Sequence, residues 1–182
     1  GYFDLKEVVN GICTKLINRH PHVFNNVDLD MSQFEKTWEE LKRDEKGETS
    51  ITSGLKRIPN HLPALIKAEK IQHKAALIGF DWYDIKDVFE KIEEEYKELL
   101  DECKQGNIKY IKEELGDLLF SIVNLARFLH IDSEEALNLT NQKFINRFEF
   151  MEENASKLHK KLEDLTLDQM EELWQSAKKN KL

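Results

Sequence analysis

Apolar residues recur at helical intervals along most of the chain, and no segment alternates apolar and polar positions for long enough to predict a strand. From Asp4 to His20, Leu5, Val8, Val9, Ile12 and Leu16 keep helical spacing until Pro21 stops the run. Ser32 with Glu35 reads as a capping box opening a short helix that carries Phe34, Trp38 and Leu41 on one side. Asp44 to Asn60 is polar and turn-rich, which predicts a linker or mobile loop. Leu62 to Ile78 is again helical and closes at Gly79. After the connector Phe80-Asp81-Trp82-Tyr83, Asp84 caps a helix that Gly106 ends, and Asn107 caps the next. Asp132 with Glu135 opens a helix striped by Leu137, Phe144, Phe148 and Met151, which Asn154 to Asp164 either extends or frays. Thr166 with Gln169 opens the last, with Leu167, Met170, Leu173 and Trp174. The expected class is all-α.

Carboxylates interrupt this pattern between Glu90 and Ile131. Glu95 and Glu98 lie three residues apart, as do Glu114 and Asp117, so each pair shares a helix face. A hairpin folded at Gly106-Asn107 points the four at one another. Asp117 precedes Leu118, Leu119, Phe120, Ile122 and Val123, so its helix is apolar almost all round and is expected to be buried. A carboxylate there needs a partner. Gly116 costs about 1 kcal/mol relative to Ala in mid-helix, which predicts a close approach by another helix or a ligand.

Alone, Glu93 to Glu95 would read as a solvated face, and the matching pair on the second helix reverses that reading. Clustered carboxylates repel unless a cation or protons neutralise them. Oxygen-only ligands favour a hard cation such as Mg²⁺, whereas a di-iron bundle would want Glu-x-x-His motifs that neither pair contains. The expected ligands are Glu95, Glu98, Glu114 and Asp117. Mg²⁺ held there would lower the pKa of a bound water.

Composition narrows the partners. A chain of 182 residues with 40% apolar residues builds one domain or two small ones, and three Pro and seven Gly suit helices. A net charge of −8 argues against a nucleic-acid polymer or an anionic membrane as partner, but not against a nucleotide. No apolar run approaches a membrane span and no signal-peptide pattern appears. Cys13 and Cys103 are isolated, which predicts reduced thiols in a cytoplasmic protein.

The chain also repeats itself. Asp4, Glu7, Asn10, Lys15, Ile17, Asn18 and Arg19 match Asp132, Glu135, Asn138, Lys143, Ile145, Asn146 and Arg147 at an offset of 128 residues. Further on, Asp28, Leu29, Gln33, Glu35, Trp38 and Lys42 match Asp164, Leu165, Gln169, Glu171, Trp174 and Lys178 at an offset of 136. The first copy lacks the carboxylate hairpin. Residues 1 to about 45 therefore read as the tail of an upstream repeat, and the chain as a piece of a longer protein.

Glu94-Glu95-x-x-Glu98, followed after fifteen residues by Glu114-x-x-Asp117, resembles the signature of the MazG nucleoside triphosphate pyrophosphohydrolases. The likeness continues through Ile58 to Leu65, Gly79-Phe80-Asp81-Trp82, Asn124 to Arg127, Lys143-Phe144-x-x-Arg147-Phe148 and Trp174-x-x-x-Lys178, and covers roughly residues 58 to 180. It implies an all-α, antiparallel four-helix-bundle-like fold with extra N-terminal helices. It also implies a homodimer, tandem domains, and Mg²⁺-dependent (with Mn²⁺ as substitute) cleavage of nucleoside triphosphates at the α–β linkage to monophosphate and pyrophosphate. The expected organisation is a repeat remnant over 1–45, a linker over 46–60 and the catalytic domain over 61–182.

Individual roles follow from the likeness. Glu94 either orients or deprotonates the water or simply faces solvent. Asn124, seven residues beyond Asp117, shares its face; the resemblance tips it from a hydrogen-bonded core polar group towards the metal shell or nucleotide. Lys143 and Arg147 form an i, i+4 surface pattern by themselves, and the family match makes them triphosphate binders, Arg bidentate and Lys as a point charge. Trp174 reads as a core anchor from its stripe; in the family it and Lys178 close over the nucleotide. Trp82 is expected to be buried in packing, with stacking on a base as its alternative, and His61, His73 and His130 to be structural. The alternative function is a non-catalytic nucleotide-binding or regulatory module. A purely structural adaptor is disfavoured, because carboxylates on an apolar helix would weaken it without return.

Overall fold

The computed structural model describes residues 4–24, 37, 38, 41, 42, 45, 47 and 50–180. Among these no strand occurs, as the missing alternation requires. The helices are α1 (Leu5–Arg19), α2 (Pro21–Phe24), α3 (Ile51–Lys56), α4 (Ala64–Ala76), α5 (Ile85–Gln105), α6 (Ile108–Phe128), α7 (Ser133–Lys157) and α8 (Leu167–Lys179), with a 3₁₀ turn at Leu162–Asp164. They fall into two compact units, Gly1–Leu62 with Lys70–Asp81, and Pro63–Glu69 with Trp82–Leu182.

In the first unit, Asp4 and Glu7 make the reciprocal capping box that starts α1. Arg19 ends it, and Pro21 begins a new short helix, where its missing N–H is not needed. Leu5, Val9, Ile12 and Leu16 are all exposed, so among the described residues nothing covers their stripe. The stretch expected to be a loop contains α3. Ser50 accepts the Ser53 N–H at 3.1 Å while Ser53 Oγ accepts the Ser50 N–H at 3.2 Å, so serines that read as turn formers act instead as a cap. The Ser32–Glu35 capping box lies outside the described residues.

The second unit carries the carboxylates. Asp84 accepts the Lys86 N–H at 2.8 Å to start α5. Gly106 ends it at φ +76°, a left-handed conformation that costs glycine nothing, and its N–H donates to the Glu102 carbonyl at 2.9 Å. Asn107 then caps α6 by accepting the Lys109 N–H at 3.1 Å. With so short a link, α5 packs along α6 as an antiparallel hairpin. Helix α7 packs chiefly on α8, and Thr166 with Gln169 forms the predicted capping box. Val88, Val123, Met151, Ala155, Leu165 and Ala177 make the buried core. Enclosing a valine this fully contributes roughly 1.5–3 kcal/mol.

Two burial expectations fail. In the single chain α6 is not enclosed on all sides: Leu115, Leu119, Phe120 and Ile122 are between 42% and 49% exposed. Of its residues only Ser121 and Val123, two positions apart and so on nearly opposite sides, are buried. Trp82 is 41% exposed rather than buried.

Candidate metal centre

The hairpin sets the centre. Glu95 and Glu98 project from α5 and Glu114 from α6, and one carboxylate oxygen of each lies within 4.8 Å of the others. Glu95 is buried, Glu114 partly exposed and Glu98 exposed, so the trio runs from the helix seam out to solvent. Asp117, the fourth expected ligand, is exposed one turn along α6 and lies outside this tight trio. It still adds to the negative field at Glu114.

That field is unbalanced. The Glu114 carboxyl is pushed above the usual range, first by desolvation and then by the charges of Glu98, Asp117, Glu95 and Glu102. The donor set fits a hard divalent cation: three oxygens converge at ligand spacing, and their repulsion calls for positive charge. A raised carboxylate pKa means that the folded state holds the proton more tightly than the unfolded chain. The stability Glu114 contributes is therefore complete below its unfolded pKa and is lost as pH rises through the raised value. Without divalent ions, the melting temperature of Glu114→Gln is expected to fall less than that of wild type as pH rises through this window. Adding Mg²⁺ to wild type should flatten the slope in the same way, and identical slopes would count against the mutual repulsion.

Two neighbours were not picked out from the sequence. Lys91 sits 2.7 Å from Glu95 and 3.2 Å from Glu94, and its pKa is raised chiefly by the hydrogen bond to Glu95. Glu102 accepts from Gln105 Nε2 at 3.2 Å through one oxygen, while its other oxygen is buried. Both were signalled by i, i+4 spacing, Lys91 before Glu95 and Glu102 after Glu98.

The remaining candidates separate. Asn124 accepts from Arg127 Nε at 3.0 Å and Nη2 at 2.9 Å through its Oδ1, so its acceptor already serves a neighbour on the same helix. Lys143 is exposed on α7. Arg147 places its guanidinium 5.2 Å from the centre of the Trp174 ring, and Trp174 packs against Phe144 and Phe148 at 5.1 and 6.1 Å. Lys178 is exposed on α8. Glu94 is 56% exposed beside Lys91.

Gly116 breaks an expectation. A Cβ built on it meets nothing within 4 Å, so among the described residues no other helix packs on it. Gly116→Ala is accordingly expected to stabilise the isolated chain by about 1 kcal/mol through helix propensity, read by denaturant unfolding. Destabilisation would reveal a body pressed against that position.

A family model described as the MazG nucleotide pyrophosphohydrolase domain matches residues 1–24 and 84–150. The chain is 44% identical over 178 residues to the nucleoside triphosphate pyrophosphohydrolase/pyrophosphatase MazG of Thermotoga maritima, covering 98% of this chain and 67% of that protein. The chain belongs to the MazG family. It is 38% identical over its whole length to the nucleoside triphosphate pyrophosphohydrolase of Escherichia coli, spanning 70% of that relative. It is also 45% identical over 180 residues to the uncharacterized protein YabN of Bacillus subtilis, of which it spans 37%. The MazG assignment agrees with the all-helical fold. Among the described residues no helix is long and apolar enough to cross a membrane.

Proposed function

We propose that this MazG chain hydrolyses nucleoside triphosphates at the α–β anhydride, giving a nucleoside monophosphate and pyrophosphate, with Mg²⁺ as the cation and Mn²⁺ as its substitute. The observation that carries this reading is the convergence of Glu95, Glu98 and Glu114 oxygens within 4.8 Å. Asp117 completes the ligand set on the α6 side. When bound, the divalent ion would neutralise phosphate oxygens and make a water nucleophilic near neutral pH.

The chain's own residues do the rest. Arg147, steadied by Trp174, grips the phosphate tail, and Lys143 adds a point charge one helical turn earlier. Lys178 follows Trp174 by one turn and closes on the nucleotide from α8. Asn124 stands at the edge of the site, its amide oriented by Arg127. Glu94 is the carboxylate left to accept a proton from the attacking water, being exposed and no member of the converging trio. Pyrophosphate release from a panel of ordinary, deoxy and damaged triphosphates tests the reading. Equal amounts of monophosphate and pyrophosphate, abolished by a chelator and restored by Mg²⁺, are expected. Orthophosphate as product would overturn the bond assignment, and binding without turnover would favour the regulatory alternative.

The proposal extends to assembly and domain organisation. The exposed Leu115, Leu119, Phe120 and Ile122 on α6, with Tyr96 and Leu100 on α5, supply the apolar area for a homodimer seam. A one-chain mass in sedimentation at micromolar concentration would remove the dimer. Residues 1–45 are read as the tail of a first MazG copy, 46–60 as the link and 61–182 as the catalytic copy; the match of the family model in two separate stretches supports this.

A further inference from the structure

The first compact unit holds a second basic–aromatic cluster. Arg19 Cζ lies 5.7 Å and Lys42 Nζ 4.4 Å from the centre of the Trp38 ring. Arg19 donates through Nε at 3.0 Å, and also through Nη2, to one oxygen of Glu45. The Arg19 and Glu45 side chains are only 18% and 25% exposed, so the pair is partly withdrawn from solvent.

The repeat gives this cluster a meaning. Arg19, Trp38 and Lys42 are the counterparts of Arg147, Trp174 and Lys178, and each copy places its arginine over its tryptophan at similar distance, 5.7 and 5.2 Å. The offset of 136 residues that aligns Trp38 with Trp174 carries Glu45 to Lys181. In sequence, a carboxylate of the first copy thus replaces a cation of the second. Carboxylate and phosphate oxygens use the same guanidinium donors, so one excludes the other. An ordinary surface ion pair would explain the contact between Arg19 and Glu45. It would not explain why the stacked arginine and tryptophan are kept in both copies while the charge at the Glu45 position is reversed in the sequence.

We propose that Glu45 is an internal phosphate mimic, which holds closed a polyphosphate-binding subsite of Arg19, Trp38 and Lys42 retained by the first copy. Nucleotide phosphates are then gripped only by the second copy. The inference rests on the reading of Arg147 and Trp174 as phosphate-gripping residues.

Calorimetric titration of the full chain with inorganic tripolyphosphate, in chelator so that metal-dependent binding is silent, tests both. Wild type is expected to bind one equivalent, and Arg147→Ala to lose it. Glu45→Lys should bind a second equivalent at least about tenfold more tightly than any residual second binding in wild type. Adding Arg19→Ala to Glu45→Lys should abolish that second equivalent and leave the first. Glu45→Gln, of unchanged size, should show a weaker second site and guards against misfolding of the lysine variant. If both Glu45 variants keep wild-type stoichiometry with unchanged helicity, or if the extra binding survives loss of Arg19, the closed subsite is refuted. If wild-type binding survives Arg147→Ala, it is the second-copy reading that falls.

Discussion

Glu98→Gln is expected to lower turnover by roughly 10²–10³-fold, the loss typical when charge stabilisation at the reacting centre is removed. Glu98 is the exposed member of the trio whose oxygens lie within 4.8 Å, so its replacement leaves the hairpin seam untouched. After desolvation, its charge is the first of the neighbouring charges that raise the Glu114 pKa. Removing that charge relieves repulsion in the metal-free chain, so stability should hold or rise slightly while activity collapses. Few changes separate fold from function so cleanly. Pyrophosphate release at saturating substrate, a Mg²⁺ titration and thermal melting in chelator give the three readouts. Wild-type turnover at ordinary Mg²⁺ would remove Glu98 from the metal centre.

Arg147→Ala is expected to raise KM by about 10–100-fold, since hydrogen bonds to charged groups contribute roughly 1.5–3 kcal/mol. The guanidinium lies 5.2 Å from the Trp174 ring centre, and that stacking limits the rotamers it must surrender on binding. Arg147→Lys should recover only part of the loss, because an ammonium keeps the charge but not the planar fork. Lost stacking alone would cost about 0.5–1 kcal/mol of stability, which thermal melting detects separately. An unchanged KM would place the phosphate grip elsewhere.

The parts of the fold legible from the sequence were those set by local chemistry. Gly106 and Asn107 announce a stop and a start, and the structure uses them as a left-handed C-cap and an N-cap. The three-residue spacing of Glu95 and Glu98 fixes their common face, so the convergence with Glu114 follows once the hairpin closes. What local pattern cannot give is how much of a helix its neighbours cover. Helix α6 is apolar nearly all round, yet one chain fully buries only Ser121 and Val123 of it. Gly116 looked like a point of contact for the same reason, and a Cβ there meets nothing. The polar run before Asn60 misled differently: Ser50 and Ser53 suit a turn and a helix cap equally, and only the following residues decide. Lys91 and Glu102 were visible as spacings, but their partners become evident only when the side chains are placed.

The single glycine–asparagine link between α5 and α6 bears on how the chain acquires its shape. Contacts across so short a connection demand little loop closure, so the hairpin can form early, ahead of pairings between segments distant in sequence. Its closure also brings like charges together, which would slow the step in ion-free solution, and a divalent cation binding the trio would speed it. A cation held by the finished hairpin would thereby act as a folding aid as well.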